Sequence, residues 1–118
     1  MFPRNAENDI AKLQNYASVF AALGDETRLS LVSRLTSGRS HSISQLAEGS
    51  KITRQAVTKH LRVLEGVGLA HSTRNGREQL YHLDLRPFKD IEEYLRFVSE
   101  QWDEALSRLK SFVEDERK

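Results

Sequence analysis

The sequence predicts a mainly α-helical domain that carries one small β-hairpin. Three observations lead there. Apolar residues recur at three- and four-residue spacing through the first half of the chain. The pattern switches to period two on both sides of Asn75-Gly76. A last helical stripe then runs from Ile91 to Val113, for about seven turns. At 118 residues the chain has room for a single core, so one domain over 1–118 is expected.

After a polar leader over 1–8, Ile10, Leu13, Ala17, Phe20 and Leu23 mark a first amphipathic helix, with Asn8 or Asp9 as its cap and Gly24 as its stop. Asp25 caps a second helix, in which Leu29, Val32 and Leu35 face inward, joined by Leu31, and Gly38 ends it in a Ser/Gly-rich turn. Ser44 is the expected cap of a short helix containing Leu46 and Ala47. Gly49 and Ser50 turn the chain, and Thr53 caps the next helix. Gly66 and Gly68 close that helix with positive φ. Residues 44–66 thus read as two short helices joined by a tight polar turn.

The strands run over Leu69 to Arg74 and Glu78 to Leu83, a hairpin unit over 69–83. Asn75-Gly76 favours a type I′ turn between them. Tyr81 and Leu83 point to the core, with Ala70 and Ser72 on the facing strand, and Arg74 and Arg77 flank the tip. Pro87 fits the first turn of the last helix, over 87–116, where its missing N–H costs nothing. On that helix Ile91, Leu95, Val98, Trp102, Leu106, Leu109 and Val113 form a stripe too long for so small a domain to cover. A second subunit is the economical cover.

Chemistry concentrates on the helix after Thr53. Val57, Leu61 and Leu64 make its apolar face, which Ile52 joins from the turn. Arg54, Gln55, Thr58, Lys59 and Arg62 lie opposite, with no acid before Glu65. Arg can bridge guanine O6/N7 and Gln adenine N6/N7, so this face suits the major groove of double-stranded DNA. Net charge is only +1, but its distribution is uneven. Lys51, Arg54, Lys59, Arg62, Arg74 and Arg77 face one acid, Glu65, between 51 and 77, whereas acids dominate after Asp90. The hairpin arginines, next to that helix, are placed for phosphate or minor-groove contact.

Other functions find less support. The chain has no cysteine, which excludes disulfides, thiolate metal sites and cysteine nucleophiles. No Ser-His-Asp order, HExxH or Gly-rich phosphate loop points to an enzyme. No apolar run approaches the ~20 residues of a membrane span and no secretory signal opens the chain, so a cytoplasmic protein without a membrane partner is expected.

The segments GDETRLSLVSRL (Gly24 to Leu35), TRQAVTKHLRVLEGVGL (Thr53 to Leu69) and GREQLYHL (Gly76 to Leu83), in this order and spacing, resemble the ArsR-type winged helix-turn-helix repressors. The resemblance covers the chain from about Ile10. It implies a homodimer paired through the first and last helices, which binds an imperfect palindromic operator and represses transcription. The dimer face would then comprise Leu13 and Phe20 with Ile91, Leu95, Val98, Trp102, Leu106, Leu109 and Val113. The DNA face would comprise Thr53, Arg54, Gln55, Thr58, Lys59, His60, Arg62, Arg74 and Arg77. For His60 the resemblance implies a DNA-backbone contact, and a packed scaffold histidine is the competing reading.

Members of the family that sense arsenic, cadmium or lead do so with cysteines, which this chain lacks. Zinc-sensing members use His and carboxylate ligands on the last helix, where this chain has no histidine. Its four are His41, His60, His71 and His82. The tail WDEALSRLKSFVE (Trp102 to Glu114) looks like the metal-independent branch, for which no metal or other cofactor is expected and the inducer is undefined. Two alternatives stay open: a protein-interaction module on the same scaffold, and a metal sensor with an atypical site, for which His71 and His82 are the pair expected to meet. Trp102 reads as dimer core, or else as lining an inducer pocket with Tyr94 and Phe97.

Overall fold

In the computed structural model, which describes residues 6–116, helix α1 spans Ala6–Leu23 and helix α2 spans Glu26–Leu35. Strand β1 (His41–Ser42) leads directly into helix α3 (Ile43–Ala47), and helix α4 covers Arg54–Gly66. Strands β2 (Ala70–Asn75) and β3 (Glu78–Leu83) precede helix α5, Arg86–Glu116. Of the expected polar leader, residues 1–5 lie outside the described residues and 6–8 are already helical, so Asn8 and Asp9 sit inside α1 and do not cap it.

Helix α1 is apolar on two sides. Its core side is Tyr16, Val19 and Ala22, whereas Ile10, Leu13 and Phe20 remain exposed. In α2 the Asp25 carboxylate accepts the Arg28 backbone N–H, and Leu31, Val32 and Leu35 are buried. Leu29, expected inside, is 49% exposed. A helix offers its core one stripe, and Leu31, Val32 and Leu35 already fill that one.

Helix α3 is capped by Ser42 and not by Ser44. Ser42 Oγ accepts the Gln45 N–H at 3.2 Å, and Gln45 Oε1 accepts the Ser42 N–H at 2.9 Å, so two otherwise orphaned donors are satisfied reciprocally. Thr53 caps α4 as expected, its Oγ1 accepting the Ala56 N–H at 3.1 Å. At the other end Leu69 N–H donates to the Leu64 carbonyl at 2.9 Å and Gly68 N–H to that of Glu65 at 3.0 Å. This is a Schellman closure, with Gly68 at φ +79° in the left-handed position. Gly66 is simply the last helical residue, and its φ is not positive.

The sheet has order β1-β3-β2 and is antiparallel throughout. Ala70, Ser72, Tyr81 and Leu83 share one face, as the alternation predicts; Ala70 lies opposite Leu83 and Ser72 opposite Tyr81, with Ala70 and Tyr81 buried. The turn is shifted from its expected place. Asn75 pairs with Glu78, so Gly76 and Arg77 are the central residues, and among them only Gly76 has positive φ, at +65°. That is the pattern of type II′, not I′. A turn centred on Asn75-Gly76 would set Arg74 opposite Arg77, and like charges directly opposed are unfavourable. The observed register pairs Arg74 with Gln79 instead.

Val57, Leu61, Leu64, Leu35, Leu46, Leu69 and Val19 are fully buried and form the centre of the core, with Ile52, Leu83, Phe88 and Tyr94 packed around it. Among the described residues, helix α5 contributes to this core from its N-terminal part, through Phe88, Ile91 and Tyr94. Ile91, expected on the dimer face, is 6% exposed and belongs to the chain's own core. Tyr94 lies between the helices, its ring 5.3 Å from that of Tyr16 and 6.1 Å from that of Phe20. Beyond Tyr94 the helix leaves the body, and the radius of gyration is 19.8 Å. A compact domain of this length would have about 13.5 Å.

Candidate nucleic-acid interface

Burial of Val57, Leu61 and Leu64 fixes how α4 is rolled about its axis, and so decides what it shows to solvent. Arg54, Gln55, Lys59 and Arg62 are exposed, and Thr58 is half-buried among them. Gln55, Ala56, Thr58, Lys59 and Arg62 line one shallow, open depression on this face. The Thr58 hydroxyl donates to the Arg54 carbonyl at 2.9 Å, which leaves its oxygen free only to accept. Thr53 is exposed, but its hydroxyl is engaged in the cap.

On the hairpin, Arg74 and Arg77 are both exposed, with Arg77 in the turn itself. Among the described residues, no ion pair engages Arg54, Lys59, Arg62, Arg74 or Arg77. An unpaired arginine offers a planar fork that matches phosphate or a guanine edge.

The structure brings together residues that the sequence reading left apart. Arg34 on α2 donates to the carbonyls of Gln45 and Leu46 at 2.8 and 2.6 Å, so it satisfies the C-terminal end of α3 and ties it to α2. Arg28 donates to the carbonyls of Ala21 and Ala22 at the end of α1 and lies 3.2 Å from Nδ1 of His60 on α4. The backbone N–H of Arg28 holds the Asp25 carboxyl below the usual carboxylate range. His60 therefore has a partner on α2, the kind of contact that the competing reading of a packed scaffold histidine expects. A signal for Arg28 was present, because Arg28, Leu31, Val32 and Leu35 follow one buried helical stripe, and an arginine in such a stripe needs acceptors.

His71 and His82 do meet across the hairpin, their ring centroids 6.0 Å apart. His71 Nε2 is 2.9 Å from Asp84 Oδ2, and Arg86 grips the same carboxylate. The Arg86 side chain, above all, holds Asp84 far below the usual carboxylate range. Among the described residues no group of three or more His, Asp or Glu gathers to hold a metal ion, and no helix is long and apolar enough to cross a membrane.

Residues 23–73 match the family described as a helix-turn-helix domain. An uncharacterized HTH-type transcriptional regulator, YuzN of Bacillus subtilis (strain 168), is 34% identical over 83 residues, which span 65% of this chain and 90% of the relative. The solved structure of an ArsR-like transcriptional regulator from Rhodococcus sp. RHA1 superposes with a TM-score of 0.79 at 34% identity, covering 90% of this chain and 96% of that one. The homodimeric winged helix-turn-helix DNA-binding domain of Mb0332 from Mycobacterium bovis, a possible ArsR-family regulator, gives a TM-score of 0.63 over 89% of this chain and 94% of its own. Its identity is 22%, and that likeness is one of fold.

Proposed function

Because the chain belongs to the ArsR-like winged helix-turn-helix transcriptional regulators, which bind DNA, we propose that it acts as a homodimeric repressor of a palindromic operator. One observation carries this reading: a helix whose cationic, hydrogen-bonding residues Arg54, Gln55, Lys59 and Arg62 are exposed and, among the described residues, outside any ion pair. Arg54 and Gln55, at the N-terminal end of α4, would read base edges. Thr58 would accept from a base donor, and Thr53, Lys59 and Arg62 would contact the strand alongside. Arg74 and Arg77 on the wing would hold flanking phosphates.

Each subunit would enter one major groove, with the half-sites about one helical turn, ~34 Å, apart. The second subunit is supported by the exposed apolar residues of α1 and α5, Leu13, Phe20, Leu95, Val98, Trp102, Leu106, Leu109 and Val113, and by the homodimeric state of the similar domain from Mycobacterium bovis. Repression would follow from occupying promoter DNA in the cytoplasm and requires no reaction on the protein. It also requires no metal or other cofactor, in keeping with the metal-independent branch.

Selection of binding sites from random DNA, followed by gel shifts at several salt concentrations, tests the proposal. The expected result is a two-half-site sequence bound with an affinity whose logarithm falls by ~0.9 per neutralised phosphate for each decade of salt. Arg54→Ala or Gln55→Ala should cost about 1–3 kcal/mol and relax base preference at one position per half-site. If Arg54→Ala, Gln55→Ala and Lys59→Ala each leave operator affinity unchanged, α4 is not the reading head.

A further inference from the structure

Helix α4 carries the reading face and α1 carries part of the exposed apolar face, and these two helices are joined mainly through α2, which packs on both. A dimer that pairs through α1 and α5 can accept only the half-site separation that this three-helix path sets. Any side chain fixing α4 against α1 therefore acts on DNA selection from a distance.

Arg28 is placed to do this. It lies on α2, half-buried, and its guanidinium spans the joint. Nε donates to the Ala22 carbonyl and one terminal nitrogen to that of Ala21 at 3.4 Å, both in the last turn of α1; the Ala21 carbonyl also accepts the Gly24 N–H at 3.2 Å. The other terminal nitrogen is 3.2 Å from His60 Nδ1. A guanidinium has only donors, so Nδ1 must accept, and the neutral imidazole carries its proton on Nε2. Asp25 Oδ2 stands 3.9 Å from the same Nδ1, too far for a hydrogen bond. The His60 side chain is 23% exposed and sits against α2, unlike the open side chains of Gln55 and Lys59.

We propose that Arg28 and His60 form a clasp that fixes the recognition helix relative to α1 and so sets the half-site spacing the dimer accepts. The inference rests on the operator-binding reading above. Both are positioning residues: neither needs to touch DNA.

The test uses the operator selected by the wild-type protein, rebuilt with its central spacer one base pair shorter or longer, and a duplex holding a single half-site. One base pair moves the second half-site by about 3.4 Å and turns it by roughly a tenth of a revolution. Wild type should discriminate strongly among the spacers. His60→Leu removes the acceptor and should lower affinity for the native spacing about tenfold, the loss expected for one hydrogen bond to a charged group. It should also flatten the spacer preference and leave single half-site affinity unchanged. His60→Asn, whose side-chain oxygen can stand near the position of Nδ1, should restore discrimination. Arg28→Lys keeps the charge but cannot span the carbonyls and the ring, and should behave like His60→Leu. Circular dichroism establishes that each variant is folded at the assay temperature.

Equal losses on the single half-site and the full operator would make His60 a direct DNA contact and overturn the clasp. So would an unaltered spacer preference in both His60→Leu and Arg28→Lys. If wild type itself selects no paired half-sites, the operator reading fails first, and the two failures are distinguishable.

Discussion

Helices α4 and α5 carry the same periodic apolar pattern, and the fold treats them in opposite ways. In α4 the stripe Val57, Leu61, Leu64 is fully buried and the polar face looks outward. In α5 the stripe is buried at Ile91 and then exposed from Leu95 to Val113, with Trp102 64% accessible. Scattered exposed apolar residues are ordinary on a protein surface, but a continuous row along one helix is not. The comparison teaches that periodicity reports that a face will be covered, without reporting by which chain. Helix α4 is completed within the monomer. Helix α5 is left open along most of its length, and the proposed second subunit would complete it.

The largest effect should come from the completed side. Leu61→Ala removes a fully buried side chain at the centre of the core and should cost about 2–5 kcal/mol of folding stability. Chemical denaturation followed by circular dichroism measures it, and a loss well below this range would mean that α4 is held by something other than its stripe. The matching change on the other helix, Trp102→Ala, should barely alter the monomer's own packing. Its cost should fall on self-association, at about 2 kcal/mol or more for a central aromatic anchor. Sedimentation equilibrium reads it directly. A wild-type chain that stays monomeric at high micromolar concentration would break the comparison altogether.

How much of this was legible in the sequence follows from the same distinction. The order of elements, the Asp25 and Thr53 caps, the buried face of α4 and the strand facing all rest on local periodicity and short-range capping, which sequence displays. The errors lie where two local solutions compete. Ser42 and Ser44 could each cap α3, and Gln45 decides for Ser42 through the reciprocal capping box. The hairpin could turn at Asn75-Gly76 or at Gly76-Arg77, and the observed second register avoids setting Arg74 opposite Arg77. In α1 there are two apolar faces: Leu13 and Phe20 are exposed, as their place on the expected dimer face requires, whereas the core side, Tyr16, Val19 and Ala22, was not singled out. The pairing of Arg28 with His60, the contacts of Arg34 and the strand β1 escaped the sequence reading because those partners are distant along the chain and no periodicity encodes them, although the buried stripe already marked Arg28 as needing acceptors. At the candidate interface the polar face of α4 was legible residue by residue, and His60, for which two readings stood open, turns toward α2.

The smallest effect belongs to the wing, and it sharpens the comparison by separating holding from reading within the DNA-facing half. Arg74 lies on β2 opposite Gln79, exposed and outside any ion pair among the described residues. Its removal leaves no buried group unsatisfied, so Arg74→Ala should change folding stability by no more than ~0.5 kcal/mol. Its exposed charge has, under the proposed function, a phosphate as its natural partner. Losing one phosphate contact lowers the slope of log K against log salt by about 1, and does so on every sequence alike, because phosphates carry no base identity. Titrations of the selected operator and of an unrelated duplex, each across several salt concentrations, should therefore shift in parallel for Arg74→Ala. For Gln55→Ala, a neutral base reader, the slope should hold while the gap between the two duplexes narrows. Parallel slopes with a narrowed gap for Arg74→Ala would move the wing from holding the backbone to reading the minor groove.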